Sequence, residues 1–190
     1  MMSKVILASS SPRRRELLDK AEIKYSLCIK SVDEKIPVGM SADEAVEYLA
    51  LLKAEAVSQV NDEAVVIGAD TVVVLDGEIL GKPANEEEAI NMLLSLSGRE
   101  HKVITGVALV RGKRHKAFHV TTKVKFYDIG YSEAVHYVKS GEPMDKAGAY
   151  GIQGKGGIFI EKIDGDYYNV VGLPIARLVR ELRVFQGEGE

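Results

Sequence analysis

The run VVIGADTVVVL over residues 65–75 is eleven residues of strand-forming, almost wholly apolar chain with one carboxylate, Asp70, near its centre. A β-branched run of this kind belongs in the interior of a sheet covered on both faces, so the fold has to be layered around it. Leaving an unpaired carboxylate there is costly. Either Asp70 is held by a cation or a metal, or the strand ends at Asp70 and the acid faces a cleft.

Periodicity predicts strands over 4–8, 24–29, 64–75, 101–111, 114–127 and 157–163, and helices over 12–21, 41–60, 86–96, 132–140 and 174–184. Strand and helix alternate early in the chain, whereas Arg111, Gly112 and Lys113 link two long strands as a hairpin. The expected sheet is therefore mixed within an α/β fold. A length of 190 residues fits one domain with a good core, with a disordered tail expected over 186–190. The balance of 46% hydrophobic and 28% charged residues is that of a globular protein. A net charge of −3 argues against gripping duplex nucleic acid as the main task. No signal-peptide pattern or membrane-length apolar run occurs, so a cytoplasmic protein without a membrane partner is expected. Cys28 is the only cysteine, which excludes an internal disulfide and a cysteine zinc cluster and suggests a buried bystander thiol. The four histidines show no paired metal-binding spacing and read as surface or strand residues.

Behind the first strand, Ser11 is a good N-cap and Pro12 suits the first helical position, yet Arg13, Arg14 and Arg15 follow. Cations at a helix N-terminus oppose the macrodipole by roughly 0.3–1 kcal/mol each, so this start suggests a cradle for phosphate. Two later helix starts obey the usual rule: Ser41 precedes Asp43 and Glu44, and Asn85 precedes Glu86, Glu87 and Glu88, with Glu44 and Glu88 completing capping boxes. Lys53 shares a helical stripe with Val46, Leu49, Ala50, Val57 and Val60, so it either meets an anion or snorkels at the rim of the core. Lys82 lies in a rigid Gly-Lys-Pro turn before a helix. The glycine-rich segment 145–157 reads as an ordered loop that presents Tyr150 and Gln153, and a carboxamide carries the donor and acceptor needed to read a base edge. No Walker loop or dinucleotide fingerprint is present.

Taken in order, LASSSPRR (7–14), Glu34, LALLKAEAV (49–57), GADTVV (68–73), GKP (81–83), SGREHKVITGV (97–107), DKAGAYGIQG (145–154) and NVVGLP (169–174) resemble the Maf family over nearly the whole chain. The resemblance implies a nucleoside triphosphate pyrophosphatase that releases a nucleoside monophosphate and pyrophosphate. It implies a fold similar to the inosine triphosphatase type: one domain with an elongated mixed sheet, surrounding helices and a deep cleft between two lobes, paired as a homodimer. Arg13, Thr71 and Gln153 resemble the pyrimidine branch, which acts on dTTP and UTP, with modified pyrimidine nucleotides left open. By the same resemblance Asp70 is the catalytic acid, Glu34 and Asp70 hold Mg or Mn, and Ser9, Arg13, Arg14, Lys53 and Lys82 bind the triphosphate, while Arg15 points to solvent. Two alternatives are a non-catalytic nucleotide or nucleic-acid binding protein in septum formation and a phosphohydrolase that removes only the terminal phosphate.

Overall fold

A computed structural model describes residues 4–187. Its elements in chain order are β1 (Val5–Leu7), α1 (Pro12–Lys20), β2 (Ser26–Leu27), α2 (Ala42–Ser58), β3 (Val65–Leu75), β4 (Glu78–Leu80), α3 (Glu86–Leu96), β5 (Glu100–Arg111), β6 (Arg114–Phe126), α4 (Tyr131–Val138), β7 (Ile160–Asp164), α5 (Tyr167–Val171) and α6 (Ile175–Gln186). The seven strands form a mixed sheet in the order β2-β1-β3-β5-β6-β7, with β4 paired to β3. β1 runs parallel to both β2 and β3. β4 and β7 pair antiparallel with β3 and β6 respectively.

Two compact units share these elements. The first comprises the chain up to Asp70, Thr105–Val120 and the residues from Gly172 on; the second comprises Thr71–Ile104 and Thr121–Val171. In the first, α2 lies directly on the sheet. A Cβ on Gly68 in β3 would overlap the Ala50 carbonyl oxygen and come within 3.0 Å of Ala54, while one on Gly106 in β5 would overlap the Val46 carbonyl. The two glycines are therefore seats for the helix backbone. Ala50, Ala54 and Val57 of α2 then pack with Ile6, Val66, Ala108 and Val110.

The second unit has its own core, in which Leu93 and Leu96 of α3 and Tyr137 and Val138 of α4 pack around Val73, Val124, Phe126 and Phe159. His101 is inside it, 2% exposed, edge-on to Phe126 at 4.9 Å between ring centroids. Its Nε2 shares a 2.8 Å hydrogen bond with the Tyr150 hydroxyl, and Nδ1 has no hydrogen-bond partner among the described residues. Burial pulls the imidazole down to about 4 from its ordinary 6.5. Buried Asn169 of α5 donates to the Val103 carbonyl and to Thr122 Oγ1, both at 2.9 Å, and this ties the short helix to β5 and β6.

Several local details differ from the sequence expectation. β4 and α5, of three and five residues, are too short to show a period. The strand expected over 24–29 is only Ser26–Leu27, and Cys28 is a half-buried residue just beyond it that packs against the first core. α2 stops at Ser58, leaving Val60 62% exposed and off the stripe. The capping box at Ser41 and Glu44 forms, but the Glu88 carboxylate accepts from the Ala84 amide, one residue before the N-cap Asn85. Gln186 ends α6 and Gly187 caps it in the left-handed region at φ +84°, while 188–190 lie outside the described residues.

Two outcomes follow from these packings. Gly68→Ala is expected to cost about 3 kcal/mol in chemical denaturation, whereas Gly81→Ala, with no atom within 4 Å of the added carbon, changes stability by less than about 0.5 kcal/mol. The unfolded chain protonates His101 near pH 6.5 and the folded chain only near 4, so stability is lost as pH falls through that window, by up to about 3 kcal/mol. Thermal melts from pH 7 to 4.5 should show this slope in the wild type and a flatter one in His101→Gln.

Candidate active site

The start of α1 has Ser11 at its N-cap and Pro12 as its first residue, as the sequence suggests, but the acceptor near it is Ser9. Ser11 occupies the extended N-cap conformation but makes no side-chain cap bond, and the first turn holds no acid. The hydroxyl of Ser9, 8% exposed, instead accepts from the Ser11 amide at 3.3 Å and from Arg14 Nη1 at 3.1 Å. Arg14 reaches further. Its Nε donates to the Gly172 carbonyl at 2.8 Å and its Nη1 to the Ala69 carbonyl at 2.9 Å. Gly172 has φ +123°, a conformation a side chain would strain. Burial lowers the Arg14 pKa, Asp70 and Glu34 raise it and Arg13 lowers it, so all three lie within electrostatic range of the guanidinium.

Asp70 follows Ala69 on β3, and the strand continues past it to Leu75. Of the alternatives open in the sequence, a protein cation holds the acid: Lys53 Nζ donates to Asp70 Oδ1 at 2.6 Å. The same ammonium pairs with Glu34 Oε2 at 2.9 Å, and the Lys53 and Asp70 side chains are only 18% and 14% exposed. Lys53 therefore meets anions and does not snorkel. Glu34, 54% exposed, comes from the irregular segment between β2 and α2. The close seat of α2 on Gly68 places Lys53, three residues after Ala50, beside Asp70, two residues after Gly68.

The first unit thus brings together Ser9, Arg13, Arg14, Glu34, Lys53 and Asp70. Arg15 is half-buried and within electrostatic range of Tyr25, so it does not simply point to solvent. Thr71, Lys82 and Gln153 belong to the second unit. Thr71 is half-buried on β3. Lys82 is exposed in the turn before α3, next to Gly81, whose carbonyl accepts from the Gly148 amide at 3.0 Å. Gln153 is exposed in a glycine turn where the Gly154 amide donates to the Gly151 carbonyl at 3.3 Å. Among the described residues no set of three His, Cys, Asp or Glu side chains could hold a metal by itself. The two carboxylates on one ammonium are the available oxygen donors. Sequence reasoning missed Gly172, whose carbonyl contact lies 158 residues from Arg14, and the carboxylate of Glu142 under the glycine loop.

Parallel β1, β2 and β3 with a basic helix start and a shared carboxylate–ammonium cluster define an α/β protein with a charged cluster in its first unit. The fold is similar to that of a HAM1 protein from Coxiella burnetii, with a TM-score of 0.54 over 98% of this chain and all of that one, at 16% identity. The chain belongs to the Maf family, whose model, described as Maf-like protein, matches residues 4–185. It is 52% identical over 184 residues to a Bacillus cereus (strain G9842) protein named dTTP/UTP pyrophosphatase, covering 97% of this chain and 96% of that one. A Bacillus mycoides (strain KBAB4) protein of the same name is 51% identical over 187 residues, 98% of each chain.

The bonds of Arg14 to Ser9, Ala69 and Gly172 predict that Arg14→Lys loses about 2–4 kcal/mol, because an ammonium on a flexible stem cannot reproduce the guanidinium fork. Differential scanning calorimetry checks it: an unchanged midpoint would show the fork to be replaceable.

Proposed function

We propose that this chain is a nucleoside triphosphate pyrophosphatase that hydrolyses dTTP and UTP to the nucleoside monophosphate and pyrophosphate. The observation that carries the reading is the Lys53 ammonium bound by both Asp70 and Glu34, on a chain half identical to proteins bearing the name dTTP/UTP pyrophosphatase. Asp70 orients the attacking water and takes its proton. Lys53 holds that carboxylate in place and, with Arg13 and Lys82, offsets charge on the phosphates as pyrophosphate leaves. Arg14 contributes in two ways: it brings positive charge to the site and braces Ser9 and the Ala69 carbonyl beside Asp70. Gln153 and Thr71 select the uracil or thymine edge.

Asp70 and Glu34 fit a divalent ion such as Mg or Mn, because such ions take one or two carboxylates and complete their shell with water and substrate phosphates. When bound, the ion would neutralise phosphate charge and acidify water. The resemblance to the family extends the reading to a cytoplasmic homodimer. Among the described residues no helix is long and apolar enough to cross a membrane.

Incubation of the purified chain with dTTP and Mg is expected to yield dTMP and pyrophosphate, resolved by ion-exchange chromatography. Asp70→Asn should lower kcat by about 10²–10⁴-fold while keeping a cooperative melt. Orthophosphate with dTDP, or no turnover, would overturn the reading.

A further inference from the structure

The loop that carries Gln153 is wrapped around a single carboxylate. Glu142 lies outside the loop, in a short helical turn over Glu142–Asp145. Its Oε2 accepts from the Lys155 amide at 3.0 Å, and its Oε1 accepts from the Gly156 amide at 3.2 Å and from the Tyr137 hydroxyl at 2.8 Å. That hydroxyl in turn accepts from the Gly151 amide at 3.2 Å. The anchored amides flank Gln153 on both sides, at residues 151, 155 and 156. The glycines are what allow the wrap: a Cβ on Gly154 would run into the Glu142 carboxylate, and one on Gly156 would lie 2.6 Å from the Tyr137 oxygen and 3.0 Å from the Gly151 backbone.

The preceding stretch is fixed as firmly. Lys146 Nζ donates at 2.6 Å to the Glu142 carbonyl and to Asp145 Oδ1. Gly148 and Ala149 hold φ +66° and +59°, which turns the Gly148 amide onto the Gly81 carbonyl beside Lys82. Tyr150 is tied to buried His101. Glu142 is half shielded by the groups it binds; desolvation raises its pKa, but the Lys155 and Gly156 amides, the Tyr137 hydroxyl and Lys146 outweigh this and leave it below the usual carboxylate value. The wiring is that of an anion in a nest of donors, directed at the shape of the loop.

We infer that Glu142 is a specificity-positioning residue, which with Tyr137 fixes the 151–157 loop so that Gln153 meets the pyrimidine edge. The inference rests on the reading of Gln153 as base-selecting. A flexible glycine loop would have to be ordered by the nucleotide at each binding event, and that entropy would be taken from affinity. Glu142 removes the cost in advance. Its effect should therefore appear in substrate binding and base choice and leave the chemical step little changed.

Glu142→Gln tests this at constant volume, since a carboxamide NH₂ cannot accept from an amide N–H and at least one anchor must break. Steady-state kinetics on the full chain would compare wild type, Glu142→Gln, Gln153→Ala and the double variant, using dTTP and dCTP. The expected result for Glu142→Gln is a KM for dTTP raised about ten- to hundredfold with kcat within about threefold, and a preference for dTTP over dCTP reduced toward that of Gln153→Ala. The double variant should be little worse than Gln153→Ala alone, because both act through one contact. Tyr137→Phe, which removes the hydroxyl and keeps the ring packed on Phe159 at 5.2 Å, should show the same pattern and answers the question if Glu142→Gln melts early. Unchanged KM and base preference in both single variants, or losses that add fully to those of Gln153→Ala, would overturn the inference while wild-type turnover of dTTP leaves the proposed function standing. A wild type inactive on dTTP would remove the reading beneath it.

Discussion

A carboxylate in the middle of a buried strand can persist only if a positive charge reaches it, and in this protein the reach is set by two hydrogen atoms. Gly68 and Gly106 have no Cβ, so the backbone of α2 lies on the sheet where any side chain would overlap the Val46 and Ala50 carbonyls. That contact carries the Lys53 ammonium to within 2.6 Å of Asp70. Helix seat and ion pair are thus one feature. Removing the Lys53 ammonium would leave Asp70, whose side chain is 14% exposed, without the cation 2.6 Å from it, which is costlier than never having placed the pair there. Under the proposed function, stability and chemistry in the first unit are linked through the same two residues.

Arg14 answers a second electrostatic difficulty. Cations in the first turn of α1 oppose the helix dipole, and no acid in that turn offsets them. The structure resolves the matter for Arg14 by folding its guanidinium back onto two carbonyls and a serine hydroxyl, with Asp70 and Glu34 in electrostatic range. One carbonyl belongs to Gly172 and the other to Ala69, so the helix start, β3 and the chain entering α6 are joined at one side chain. The geometry of the guanidinium is thereby fixed by the protein's own acceptors.

What could be read in advance followed the range of the interactions. Long elements announce themselves by period, and β3, β5, β6 and α3 fell within a residue or so of their expected bounds. Asp70 and Lys53 were conspicuous as charges in apolar patterns, a signal that marks a buried polar group without saying what it meets. The partner was invisible because the pairing spans 17 residues and depends on how closely α2 packs. What was missed has the same cause. Ser11 is the N-cap its sequence suggests, but its side chain makes no cap bond, and Ser9 instead accepts from the Ser11 amide and from Arg14. Glu142 sits in an ordinary Gly-Glu-Pro turn, and only the folded loop shows that its carboxylate collects amides from residues 155 and 156.

The residues assigned to phosphate chemistry and those assigned to base recognition draw on different cores. Asp70, Lys53, Glu34 and Arg14 are supported by the packing of α2 on Ile6, Val66 and Ala108, whereas the Gln153 loop is supported by Tyr137, Tyr150 and Phe159, packed with Phe126 in the second unit. β3 is continuous through both, with Asp70 the last residue of one unit and Thr71 the first of the other. Under the proposed function, the acid and one base-selecting residue are then adjacent in sequence on β3. On that reading, substitutions in the second core would alter which base is accepted while the carboxylate–ammonium cluster keeps its own support.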